Sequence, residues 1–140
     1  MWVLSHQNID SNEKKMMAYL LDDQCICIKD LVSYSQVTLS HDCTIDWLEL
    51  NPRGDLLLFR DIQLQLYVFF TVSQTRKQLS NYCSYAQWVP DADVIVAGSL
   101  DTLMVWYNVR GSEQSTSIVI KGDIIDIERR EGRIEVIVDE

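Results

Sequence analysis

At 140 residues, 47% of them hydrophobic, the chain is long enough for one domain with a real core and too apolar for a disordered tail. Its formal charge of −9 and its scattered Lys and Arg, adjacent at Lys14-Lys15, Arg76-Lys77 and Arg129-Arg130, offer no basic patch to a nucleic-acid backbone. No C-x-x-C pair, no charged leader followed by an apolar core and no run of about eighteen apolar residues occurs, so an intracellular, soluble chain with reduced thiols and no transmembrane segment is expected.

Residues 1–15 are mostly polar, with Trp2 as the one large anchor, and read as a flexible lead-in. Met16 to Leu21 is an apolar run of strand length, stopped by Asp22-Asp23. Its strand assignment rests on its place just before the alternation from Cys25 to Leu31. Gln36 to Leu39 is a third short strand, ended by Ser40-His41-Asp42. The best-formed unit follows: a strand over Thr44–Leu50, the turn Asn51-Pro52-Arg53-Gly54, and a strand over Leu56–Phe59. Proline sets φ at the first corner of that turn and Gly54 supplies the permissive position. Asp61-Ile62-Gln63 then turns the chain into Leu64–Phe70, and Arg76 to Asn81 makes a polar outer strand. The same order recurs in Tyr85–Val89, the turn Pro90–Asp93, Val94–Ala97, Leu103–Asn108 and Thr116–Ile120. Asp123–Glu128 and Arg133–Val138 begin a further round. The chain is therefore predicted to be all-β, with no helix longer than two turns between Thr44 and Val138.

Ser99 to Asn108 gives the repeat its signature: a tight-turn aspartate (Asp101), alternating Leu103 and Val105, then Trp106. Weaker copies are Asp61 to Tyr67 and Asp23 to Asp30. Lys29, Tyr67 and Trp106 stand 38 and 39 residues apart, and Trp47 and Trp88 stand 41 apart. A period near 40 with short alternating strands is the sign of WD40-type β-propeller blades. The predicted organisation is a lead-in over 1–15 and a partial propeller over 16–140. Its blades are 16–39 (partial, three strands), 44–81, 85–120 and 123–138 (partial, two strands). A ring needs about four blades, so the remaining blades of the same propeller are expected as partners. The chain alone is expected to be oligomeric or aggregated through open strand edges.

Each chemical reading has a plainer rival. His41-Asp42 is half of a metal site, but the only other histidine, His6, lies in the lead-in, so His41 is read as a hydrogen-bonder to a turn, with no metal expected. Cys43, two residues on, lacks an orienting third group and an oxyanion loop for Cys–His nucleophilic chemistry. Cys25, Cys27 and Cys83 fall in apolar alternation and read as small hydrophobes. No phosphate-cradling glycine loop is present, and no cofactor is expected. Trp47, Trp88 and Trp106, with Tyr67, Asp61, Asp101 and His41, are read as structural repeat positions rather than a ligand cage. No catalytic residue is assigned.

Four segments carry a resemblance: Asp46 to Asn51, Leu57 to Asp61, Cys83 to Pro90 and Val105 to Asn108. They resemble the largest WD-repeat subunit of intraflagellar transport complex B, from about Asn12 to Val138, in the same order and spacing. The resemblance implies the last blades of the second of two N-terminal propellers. It also implies a non-enzymatic scaffold role in cilium assembly, other complex B subunits as partners, and a location in the cytoplasm and cilium, at the axoneme and ciliary base. The Trp-Asp dipeptide of the generic repeat is nowhere intact: Lys29-Asp30 keeps the aspartate, while Tyr67-Val68 and Trp106-Tyr107 lose it. The other architecture-compatible reading is a propeller segment of a coat-like or vesicle-trafficking scaffold.

Overall fold

Among the described residues the chain forms fourteen strands, most of them apolar alternation broken by turn residues, and no helix. The computed structural model describes residues 4–6, 15–90, 92–99, 101–111, 115–120, 123–130 and 133–139. The chain divides into two units, Met1–Tyr82 and Cys83–Glu140.

In the first unit, β1 (Leu4–His6), β2 (Met16–Asp22), β3 (Cys25–Asp30) and β4 (Gln36–Ser40) form one antiparallel sheet in that order. A second sheet holds β5 (Ile45–Leu50), β6 (Leu56–Asp61), β7 (Leu66–Phe70) and β8 (Thr75–Ser80), again in chain order. The first sheet thus has four strands where the sequence predicts three. Leu4–His6, inside the expected lead-in, pairs with β2 through Leu4↔Tyr19, Ser5↔Ala18 and His6↔Met17. Backbone pairing makes that strand, and so short a segment shows no side-chain periodicity to announce it.

Burial falls from the inside of a sheet to its outside. Leu56, Leu57, Leu58 and Phe59 of β6 are all buried, and Leu57 and Phe59 pack against the first sheet. Thr75 to Gln78 of β8 are all exposed, and Arg76 and Lys77 there charge the outer edge. The apolar faces meet in one core: Ala18, Leu20, Ile26, Ile28 and Leu39 of the first sheet against Ile45, Leu48, Leu50, Leu57, Phe59 and Phe69 of the second.

The β5–β6 turn explains its own sequence. Gly54 N–H donates to the Asn51 carbonyl (3.0 Å), and Asn51 N–H donates to that of Leu56 (2.9 Å). The buried Asn51 side chain accepts from Leu56 N–H at 3.0 Å and donates to Asp55 at 2.8 Å. Gly54 has φ +75°, and a Cβ there would stand 2.5 Å from Met16 Cγ of β2. Glycine is required on both counts.

In the second unit, β9 (Tyr85–Trp88), β10 (Ile95–Ser99), β11 (Thr102–Trp106) and β12 (Thr116–Val119) form a four-stranded antiparallel sheet, and β13 (Asp123–Arg130) pairs with β14 (Arg133–Asp139). Val89, Val96, Leu103 and Val105 make the core of this unit, with Tyr85, Ala92, Val94, Ile120 and Val136 packed on it.

Pairing register corrects the sequence alignment of the repeats. Leu50↔Leu57 and Trp88↔Ile95 close matching turns, so Trp88 corresponds to Leu50. Trp47 pairs with Arg60 beside a bulge and corresponds to Tyr85. Phe69↔Leu57 and Trp106↔Ile95 likewise make Phe69, and not Tyr67, the counterpart of Trp106. The turn bonds Tyr34 N–H to Asp30 and Gln74 N–H to Phe70 set Lys29 opposite Phe69 in the same comparison. The Tyr67 slip is of two residues, which preserves the face and hides it from a period-2 reading, whereas Trp88 in place of Tyr85 is a slip of three and changes the face.

Candidate functional site

The densest side-chain network gathers around His41, in the link between β4 and β5. Its Nε2 lies 2.9 Å from Asp61 Oδ2, and each side chain is 1% exposed. Arg76 of β8 donates to His41 Nδ1 at 3.0 Å and to the Ser40 carbonyl at 3.3 Å. An arginine has no acceptor, so Nδ1 carries the lone pair and Nε2 the proton, donated to Asp61. The other Asp61 oxygen accepts the N–H groups of Gln63 (3.0 Å) and Gln65 (3.1 Å). These bonds curl residues 61–65 into a turn whose corner, Leu64, has φ +65°. That is why β7 begins at Leu66 and not at the predicted Leu64.

Aromatic rings enclose the imidazole. Phe59 and Tyr67 stand edge-on to it at 5.2 and 4.9 Å, and they stack on each other at 5.3 Å with 14° between planes. The Arg76 guanidinium lies 6.0 Å from the Tyr67 ring centre, and the Tyr67 hydroxyl donates to Gln65 at 2.7 Å. Burial, then the charges of Asp61 and Asp42, push that hydroxyl above its ordinary titration range, and Arg76 pulls the other way. Asp42 Oδ1 is 3.7 Å from Nδ1, beyond hydrogen-bond reach, and its side chain is 90% exposed. Chemically the imidazole is committed: one ring nitrogen holds a carboxylate, the other holds a guanidinium, and the ring is buried. Neither nitrogen is presented to an outside substrate as a base.

The remaining repeat positions fall elsewhere. Trp88 and Trp106 are buried in the second unit, whereas Trp47 is half-buried, beside the Arg60–Asp46 ion pair with its two 3.1 Å contacts. Asp101 is exposed, and its backbone carbonyl accepts from Ile120 N–H at 2.7 Å. Cys27 and Cys83 are buried and Cys25 and Cys43 half-buried, all as free thiols. Cys27 pairs across the strands with Tyr19, whose hydroxyl is raised first by the hydrogen bond to that thiol. Among the described residues no cluster of three or more His, Cys, Asp or Glu is placed to hold a metal ion, and no helix is long and apolar enough to cross a membrane. Sequence reasoning missed Arg76 and Phe59. Arg76 is one charge in a polar strand, and Phe59 one member of an apolar run.

Four-stranded antiparallel sheets with an apolar second strand and a polar outer strand, one of them closed by a buried His–Asp pair, define blades of the WD40-like β-propeller class. No family model matches the chain. Among curated proteins it is 50% identical over 133 residues to Intraflagellar transport protein 172 of Chlamydomonas reinhardtii, covering 93% of this chain and 8% of that protein. It is 44% identical over 129 residues to the Homo sapiens homolog (91% and 7%) and 40% identical over 139 residues to Intraflagellar transport protein osm-1 of Caenorhabditis elegans (98% and 8%). The chain belongs to the family of intraflagellar transport protein 172, as the counterpart of one segment of it. It spans less than a tenth of the length of these relatives.

Proposed function

We propose that the chain is a non-catalytic scaffold segment of an intraflagellar transport complex B subunit. In this reading it supports protein–protein contacts in cilium assembly and transport, in the cytoplasm and cilium. The observation that carries the reading is the identity of 40–50% to proteins bearing the intraflagellar transport name over 91–98% of the chain. The occupied imidazole supports the non-catalytic part: His41, Asp61 and Arg76 act as a latch between the β4–β5 link, the β6–β7 turn and the outer strand. Other complex B subunits and further blades of the same propeller are the partners.

A chimera tests this. The aligned segment of the Chlamydomonas reinhardtii relative is replaced by this chain in cells lacking that relative. Flagella of near-normal length, with the chimera co-purifying with other transport-train subunits, are the expected result. A chimera that is stably expressed but neither enters trains nor restores flagella contradicts the reading.

A further inference from the structure

Three loops at one end of the first unit are tied together through their backbones. His41 N–H donates to the Gln24 carbonyl (2.8 Å), Ile45 N–H to that of Asp23 (2.7 Å), and Ile62 N–H to that of Thr44 (2.8 Å). The Thr44 hydroxyl reaches the Asp23 carboxylate at 3.5 Å. The buried His41–Asp61 pair holds two of these loops from behind.

This end presents an unusual combination to solvent. Leu21, the unpaired residue of a bulge in β2, is 49% exposed, and Ile62 is 58% exposed. In the same linked loops Asp22, Asp23 and Asp42 are exposed. The three loop sequences, LDDQ, HDCTI and DIQLQ, contain no Lys or Arg. Arg76, the cation that reaches this end, directs its guanidinium at His41 and the Ser40 carbonyl.

We propose that these loops form a docking surface for a protein segment bearing Lys or Arg beside an apolar side chain. Leu21 and Ile62 supply apolar area that a partner's side chain would remove from water. The three carboxylates select the sign of the flanking charge and steer its approach, while repelling acidic surfaces, anionic lipid included. The loops are already held by mutual hydrogen bonds, so little ordering is required on binding. The proposal rests on the scaffold reading only in taking a protein segment as the ligand.

The test uses the whole chain and a short peptide repeating Leu-Lys-Lys-Leu, titrated while backbone amide shifts are recorded by NMR. Shifts are expected to concentrate on 21–24, 41–45 and 61–65, with affinity falling as salt rises. Asp22→Asn, Asp23→Asn and Asp42→Asn together should weaken binding by about fivefold or more. Leu21→Ser and Ile62→Ser should each weaken it as well. Removing equal charge elsewhere, by Asp101→Asn, Glu128→Gln and Glu135→Gln, should leave affinity within about twofold. No binding, shifts centred elsewhere, equal losses in the two triple variants, or equal binding of a Ser-Lys-Lys-Ser peptide would each overturn the proposal. Failure here with a working chimera removes the docking surface alone. A failed chimera with loop-centred binding removes the transport role alone.

Discussion

The hairpin turn between β6 and β7 and the one between β10 and β11 each lead into an apolar strand, and each contains an aspartate, Asp61 and Asp101. In the first unit Asp61 is buried, gathers two backbone N–H groups and holds His41. In the second unit Asp101 stays in solvent, and its turn is held by a backbone bond to Ile120. The link between β8 and β9, Asn81-Tyr82-Cys83-Ser84, contains no histidine, so the second hairpin has no equivalent partner to offer. A turn aspartate is therefore an anchor only where a second side chain meets it. Without one, water is the better partner for the charge. The second unit instead buries Trp88 and Trp106 at strand positions that Leu50 and Phe69 fill in the first.

Substitutions sharpen this contrast. Trp106→Ala should have the largest effect in the second unit, about 3–5 kcal/mol by denaturant unfolding, because an indole is removed from a buried strand. A loss below about 1 kcal/mol would mean that aromatic packing does not replace the latch there. Gly54→Ala should destabilise by about 1–3 kcal/mol, from the left-handed φ and the collision with Met16. The matching bond in the second unit is already made by Ala92, whose N–H donates to the Val89 carbonyl.

The latch also predicts an alkaline signature. Tyr67 is raised in the folded chain, so its contribution is complete below about pH 10, the unfolded value, and is lost as pH rises through the folded one. Stability measured across that window should fall more steeply in the parent chain than in Tyr67→Phe. Parallel curves would place the phenol outside the latch. The smallest effect belongs to the exposed turn: Asp101→Asn should shift stability by under about 0.5 kcal/mol.

Most of the strand plan was legible because turns and alternation agree over most of the chain: Asn51-Pro52-Arg53-Gly54 marks a hairpin, and the Cys25 to Leu31 alternation marks a strand. His41 was legible as a partner for a turn, since its distance from any second ligand left little else. Three things were not. Leu4–His6 pairs through backbone atoms, which leave no trace in a polar segment. The Tyr67-for-Phe69 slip keeps side chains on the same face, so only register reveals it. Arg76 closes the latch from 35 residues away in sequence, through a pairing that only the folded sheet creates.

The most direct test of the latch is a double-mutant cycle on His41→Ala and Asp61→Ala, followed by equilibrium unfolding. Each single change strands a buried partner, with an expected loss of about 2–4 kcal/mol. The double variant should lose clearly less than the sum, with a coupling of about 1–3 kcal/mol. Losses that add within about 0.5 kcal/mol would contradict the claim that this buried pair fastens the turn to the link between the sheets.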